Sequence, residues 1–128
     1  MRKITLVGLC CAVLGSLALA AAPGALAKDG DVRVAGTCTK ASTSKLKLSN
    51  ENGRIEVEFE VDQNRVGRVW AVAVRRNGVV VSRQTKVTRA PSGSFTARLL
   101  LANGAGTDRI SATAVSRTGE TCRAAASF

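Results

Sequence analysis

The sequence predicts an all-β sandwich, and three observations carry that expectation. Residues 54–62 alternate without a miss, with Ile55, Val57, Phe59 and Val61 on one side and Glu56, Glu58 and Glu60 on the other. That is the two-residue period of a strand with one dry and one wet face. Asn52-Gly53 and Asn77-Gly78 each stand between two such runs, and Asn-Gly supplies the two positive-φ residues that a type I′ hairpin turn requires. No stretch of useful length after Ala27 carries a helical period.

The chain opens with a segment that does not belong to this fold. Arg2 and Lys3 precede an apolar run from Ile4 to Ala22, followed by Pro23, Gly24 and the small-x-small site Ala25-Leu26-Ala27. This is the pattern of a helical signal peptide over residues 1–27, cleaved after Ala27 for ordinary secretion. The alternative is an uncleaved anchor, since the run of about 19 residues approaches the ~20 that span a bilayer. Cys10 follows Leu9 rather than a small residue, which disfavours lipid attachment, so Cys10 and Cys11 are expected to leave with the leader.

Residues 28–128 then form one domain. Asp31 to Thr39 alternates, with Val32, Val34, Gly36 and Cys38 on one side, and is expected to be a single N-terminal strand. After the loop at 40–43 comes a strand at 44–50, with Leu46 and Leu48 inward and Lys45 and Lys47 outward. Folding about Asn52-Gly53 sets Lys47 opposite Glu58 and Lys45 opposite Glu60 outside, and Leu48 opposite Val57 and Leu46 opposite Phe59 inside. One register satisfies both faces. The glutamates are therefore expected to form a salt-bridged ladder worth about 0.2 to 1 kcal/mol per pair, rather than a catalytic or calcium site.

The second hairpin runs from 67–76, with Trp70, Val72 and Val74 inward, through Asn77-Gly78 into 79–89. The later part of that strand is polar on both faces, which suits a sheet edge. Pro91-Ser92-Gly93 turns the chain into 94–101, with Phe95, Leu99 and Leu101 inward. The loop 102–107 leads to 108–116, with Ile110, Ala112 and Ala114 inward. Thr118-Gly119 turns into the last strand, with Cys122, Ala124, Ala126 and Phe128 on one face. Eight short strands spaced by turn signals make a sandwich.

The formal charge of +10 falls to +8 without Arg2 and Lys3. No acid occurs between Gln63 and Thr107. Arg65, Arg68, Arg75, Arg76, Arg83, Lys86 and Arg89 fall in that interval as candidate contacts for a polyanion; the alternative is a solvated face that keeps an exported protein soluble. Cys38 and Cys122, the two cysteines of the mature chain, are expected to pair in an oxidising compartment. Closing so long a loop stabilises by about 4 to 5 kcal/mol on the chain-entropy model. Two free thiols are the alternative. No metal or other cofactor is expected, because histidine is absent and two thiolates make half a zinc site.

The run W-x-V-x-V-x-x-N-G from Trp70 to Gly78 resembles the C strand and C–C′ turn of immunoglobulin-like and fibronectin type III-like sandwiches. Gly93-Ser94-Phe95 together with Gly106 to Ala114 (GTDRISATA) resembles the E and F strands of bacterial immunoglobulin-like domains. The mature chain as a whole is similar to small secreted actinobacterial proteins of unassigned activity. The resemblance implies a Greek-key arrangement with A at 44–50, B at 54–61, C at 67–76, C′ at 79–88, E at 93–101, F at 107–116 and G at 120–127. It implies one sheet A-B-E and another G-F-C-C′, with 31–39 an added strand stapled to G. Tyrosine is absent, so the tyrosine corner of such folds cannot exist, and their B–F disulfide is missing.

Catalysis is not expected. Without histidine neither a Ser-His-Asp nor a Cys-His arrangement can be built, and the acids cluster on one exposed strand face where nothing encloses a sugar. The leading expectation is a secreted binding, adhesion or structural module. Its contact surface would be the outer face of G-F-C-C′, with Ala71, Ala73, Ser111, Thr113, Arg123 and Ala125. The alternative is electrostatic binding of envelope polyanions, with nucleic acid a weaker partner for want of exposed aromatics. An inhibitor role would need a projecting loop, and 102–107 is short. Asp29-Gly30-Asp31 suggests flexible linker more than calcium ligand.

Overall fold

A computed structural model describes residues 30–128 of the chain. The leader expected at 1–27, its cleavage after Ala27, and Asp29 lie outside the described residues. Nine strands form, with no helix among the described residues: β1 (Val32–Ala35), β2 (Thr37–Cys38), β3 (Thr43–Glu51), β4 (Arg54–Asp62), β5 (Val69–Arg76), β6 (Val79–Val87), β7 (Ser94–Ala102), β8 (Arg109–Ser116) and β9 (Thr121–Ser127). They make two antiparallel sheets, ordered β1-β3-β4-β7 and β2-β9-β8-β5-β6. Both Asn-Gly pairs have the positive φ the turn demands, at 48° and 76° for Asn52 and Gly53 and at 50° and 84° for Asn77 and Gly78.

The β3–β4 register is the one the paired faces require: Lys47 opposite Glu58, Lys45 opposite Glu60, Leu48 opposite Val57 and Leu46 opposite Phe59. The inner faces of the two sheets close on one core. Leu46, Leu48, Ile55, Val57, Phe59 and Val61 come from one sheet, and Trp70, Val72, Val74, Ile110, Ala112 and Ala114 from the other. Because β8 and β9 offer mostly alanine, the larger rings reach across. Trp70 and Phe95 meet at 6.0 Å between centroids, tilted by 54°, and the buried indole Nε1 donates to Gln63 Oε1 at 3.0 Å. Phe128 also lies in the core, so every aromatic ring of the chain is buried.

The single N-terminal strand expected at 31–39 is corrected to two. β1 pairs with β3 in the four-stranded sheet, whereas β2 pairs with β9 in the five-stranded sheet. The chain changes sheets at Gly36, whose amide donates to Ser44 O at 2.8 Å. A Cβ on Gly36 would lie 2.2 Å from Ser44 Oγ and 2.5 Å from the Arg123 carbonyl, so only glycine passes between β3 and β9. Alternation survives the crossing, with Val32, Val34 and Cys38 half-buried and Arg33, Ala35 and Thr37 exposed. For that reason the pattern alone does not reveal the change of partner. Directly after it, Cys38 and Cys122 sit opposite one another and are joined by a disulfide.

Below the disulfide the connection to β3 is stitched to the β8–β9 turn. Thr39 N donates to Thr121 O at 2.9 Å, and Ser42 N and Oγ donate to the Glu120 carboxylate at 3.1 and 2.5 Å. The N-terminal segment thus clasps both sheets along one side of the sandwich. On the opposite side the edge strands β6 and β7 are bridged more lightly: Gln84 Nε2 donates to Arg98 O at 3.1 Å, and Arg89 N donates to Ser94 O at 2.9 Å.

Candidate functional site

The outer face of the five-stranded sheet is built by alternation on strands whose other side is core. Register places Thr37, Arg123, Thr113, Ala73 and Arg83 in one row across β2, β9, β8, β5 and β6. The adjoining rows hold Thr121, Val115, Ala71 and Thr85 on one side and Ala125, Ser111 and Arg75 on the other. Next to Arg75 the β5–β6 register slips by one residue, so that Arg75 faces Val80 and Val81 is left over as a bulge.

The six residues expected to form a sheet-face contact, Ala71, Ala73, Ser111, Thr113, Arg123 and Ala125, do lie together on this face. Their short side chains leave two open hollows between the longer ones. The first holds about 380 Å³ and is lined by Ala71, Ala73, Thr85, Thr113 and Val115, with Arg75 and Arg83 at its rim. The second holds about 670 Å³ over Thr37, Ser111, Thr113 and Ala125, with Arg75 and Arg123 at its rim. Arg75 and Thr113 belong to both.

The basic residues expected to act together are divided among four places. Arg75 and Arg83 stand on this face. Arg76, on the other parity of β5, turns the opposite way: its guanidinium donates to both Asp108 oxygens, at 3.0 and 2.7 Å, and to Ala102 O at 2.7 Å. Arg65, Arg68 and Arg89 gather at the end of the sandwich where β5 begins. There the loop 63–68 is held against 88–93 by the buried Thr88, whose hydroxyl donates to Arg65 O at 2.5 Å and accepts from Arg68 N at 2.9 Å. Gly93 presses onto the same loop, where a Cβ would come within 2.3 Å of Arg65 N. Lys86 lines a separate hollow between β6 and β7 with Arg89, Phe95 and Thr96.

The two outer faces differ in electrostatics. On the four-stranded sheet Arg33, Lys45, Lys47, Arg54 and Arg98 interleave with Asp31, Glu51, Glu56, Glu58, Glu60 and Asp62. The row Arg33, Lys47, Glu58, Arg98 crosses all four strands. Lys47 and Lys45 reach Glu58 and Glu60 at 3.3 Å each, Arg98 pairs with Glu58, and Arg33 pairs with Asp31 at 2.7 Å. Partial burial pushes the Glu58 carboxyl up, but hydrogen bonds and charge from Arg98 and Lys47 outweigh it and hold the group below its ordinary value. The hydrogen bond to Glu58 in turn raises the Arg98 guanidinium.

On the five-stranded sheet Arg75, Arg83, Arg109 and Arg123 point outward with no Asp or Glu side chain among them. The two acids these strands and their turns carry, Asp108 and Glu120, are buried. Neither was singled out from the sequence, although continuing the inward alternation of Ile110, Ala112 and Ala114 back by one step reaches Asp108. The same step back from Cys122 and Ala124 reaches Glu120.

Chemically, the face offers planar guanidinium forks and hydroxyl donors over a floor of small side chains, a combination suited to holding anions. It has no nucleophile–base pair. No group of three or more His, Cys, Asp or Glu that could hold a metal occurs among the described residues, and the burial of all four aromatic rings leaves no platform on which a base or sugar ring could stack. Comparison with protein-family models, with curated proteins and with solved structures found no match for this chain.

Proposed function

We propose that the chain is a secreted, non-catalytic immunoglobulin-like module that binds an anionic partner at or outside the cell envelope through the outer face of its five-stranded sheet. One observation carries the reading: the positive charge is unpaired on that face and cancelled on the other. Arg75, Arg83 and Arg123 have no ion-pair partner among the described residues, whereas Arg33, Lys45, Lys47 and Arg98 of the four-stranded face each pair with a carboxylate. Solubility alone is served by both signs interspersed, as on the four-stranded face. A face that excludes one sign while the neighbouring face alternates both is organised for a partner.

The two-sheet order supports the immunoglobulin-like part of this reading, since β3-β4-β7 and β9-β8-β5-β6 correspond to the A-B-E and G-F-C-C′ sheets that the motif resemblance implies. The leader pattern and the Cys38–Cys122 bond support export. The same charges speak against self-association through this face, which would set arginines against arginines.

The test is binding of the mature protein to envelope fractions and to defined polyanions at two salt concentrations. If three arginines neutralise three anions, affinity should fall about 20- to 40-fold between 50 and 200 mM salt. The triple change Arg75→Gln, Arg83→Gln and Arg123→Gln should remove most of that dependence. Binding that ignores salt, or that is lost equally when Arg65, Arg68 and Arg89 are changed instead, would refute the assignment to this face.

A further inference from the structure

The arginine face is divided, and the division specifies a ligand. With strands about 4.8 Å apart and a rise of about 3.3 Å per residue, the registers place the Cα atoms of Arg75 and Arg83 about 8 Å apart. The same geometry gives about 12 Å for Arg75 to Arg123 and about 14 Å for Arg83 to Arg123. Each of the three stands on a different strand. A chain laid along any one strand therefore meets one of them, and a chain laid across the strands meets all three. The hollows follow that crossing direction: one lies between Arg83 and Arg75, the other between Arg75 and Arg123, and Arg75 and Thr113 line both.

Resting on the reading above, we propose that the two hollows are successive subsites for one linear phosphodiester polymer, laid across the sheet from β6 to β9, with Arg75 shared between neighbouring phosphates. Phosphate rather than carboxylate follows from the donors. Each hollow combines a guanidinium fork with hydroxyls, Thr85 and Thr113 in the first and Thr37, Ser111 and Thr113 in the second. The two charged oxygens of a phosphodiester accept hydrogen bonds all round their P–O axes, so a fork in their plane and hydroxyls out of it are both used. A carboxylate held by the same fork keeps its remaining lone pairs in the fork's own plane. A polymer follows from the openness of the hollows: neither encloses a ligand, so affinity must come from occupying both at once. A polymer without bases follows from the buried rings, because a nucleotide's base would find nothing to stack upon.

The experiment is calorimetric titration of the mature protein, at fixed low salt, with poly(glycerol phosphate) in a series of lengths. Inorganic polyphosphate, polygalacturonate and oligo-deoxythymidylate are compared at matched charge. Oligomers long enough to span ~14 Å should bind at least about tenfold more tightly than shorter ones. Arg83→Gln and Arg123→Gln should each reduce the long oligomers to the affinity of the short ones, and Arg75→Gln should weaken both classes. Far-ultraviolet circular dichroism of each variant checks that the fold is retained, and Arg65→Gln serves as a control at the end of the sandwich.

Length-independent binding that still depends on Arg75, Arg83 and Arg123 would overturn the two-subsite proposal while leaving the face assignment in place. Polygalacturonate or polyphosphate binding as tightly as poly(glycerol phosphate) would overturn the phosphodiester assignment. Tighter binding of oligo-deoxythymidylate would replace the ligand class by nucleic acid. Loss on Arg65→Gln with none on Arg75→Gln would overturn both this proposal and the reading on which it rests.

Discussion

Replacing Gly36 by alanine tests the sheet-to-sheet crossing on which the second hollow depends. Gly36 does not occupy a positive φ, so the cost of a side chain there is steric. The new Cβ would stand 2.2 Å from Ser44 Oγ, 2.5 Å from Arg123 O and 3.2 Å from Ala124 Cβ. The serine hydroxyl can rotate away, but the Arg123 carbonyl belongs to β9, which is paired with β8 along its length. Relief requires the crossing segment to back off from β9, loosening the two-residue pairing of Thr37 and Cys38 with Arg123 and Cys122. Overpacking of this kind costs about 1 to 3 kcal/mol, and the weakened β2 pairing places Gly36→Ala at the upper end. For a domain near 100 residues that lowers the melting temperature by roughly 10 to 20 °C.

Thermal melts of three variants separate the contributions. Ser44 Oγ is buried without a hydrogen-bond partner, so Ser44→Ala alone should match the parent or melt slightly higher, because an orphaned hydroxyl is removed. Gly36→Ala with Ser44→Gly relieves the 2.2 Å contact but leaves the carbonyl clash, and should recover less than half of the loss. A Gly36→Ala protein melting within about 2 °C of the parent would refute the argument that the crossing admits glycine alone. Full recovery in the double variant would refute it differently, by assigning the constraint to the serine hydroxyl.

Reducing the Cys38–Cys122 bond, or changing both cysteines to alanine, should lower stability by up to about 4 to 5 kcal/mol given a sequence separation of 84. Melts with and without reductant measure this, and a shift of only a degree or so would contradict it. Asp108→Ala leaves the Arg76 guanidinium without its carboxylate. Arg76 is 24% exposed and keeps some water, so the expected cost is about 2 to 4 kcal/mol in denaturant titration, at or below that of a fully buried pair. Glu58 titrates below its ordinary value. Its contribution to stability is therefore complete above the unfolded-state value near ~4.3 and is lost as pH falls through the lower folded-state value. Glu58→Gln should lower stability at neutral pH, leave it nearly unchanged below the folded-state value, and so flatten the acid limb of the stability–pH profile; a loss confined to low pH would contradict the sign.

The parts of the fold legible in the sequence were those governed by neighbours along the chain. Alternation identified the inward side of every strand except β6, and Asn52-Gly53 set the β3–β4 register residue by residue, because the paired faces of both strands agree with the two-residue turn. What alternation does not carry is the identity of the partner strand. Val34 and Cys38 share a parity yet pair in different sheets, and the glycine between them is recognisable as a crossing only once β3 and β9 stand on either side of it. The candidate site shows the same limit. Arg83 and Arg123 belong to one row because β5 and β8 lie between their strands. Arg75 and Arg76, adjacent in sequence, face opposite sides of the sheet, and one is spent on Asp108. A run of basic residues without acids therefore looked like one surface and is several.

The separation of charge between the sheets follows from where the chain puts its carboxylates. In the four-stranded sheet the acids take the outward parity of β4 and meet the lysines of β3 and the arginine of β7, so that surface is neutralised by its own register. In the five-stranded sheet the acids fall on the inward parity, at the ends of β8 and β9, where Asp108 binds Arg76 and Glu120 binds Ser42. Each of those carboxylates serves the fold and none is left to balance the arginines outside. A polyanion approaching at low salt is thereby steered toward one side of the molecule before any contact forms. Neutralising the glutamates of β4 would not create a second face of the same kind. It would free lysines and an arginine interleaved with Leu100 and Ser49 around a smaller hollow of about 220 Å³ lined by Arg33, Lys45, Lys47 and Thr96, in place of two hollows that share an arginine.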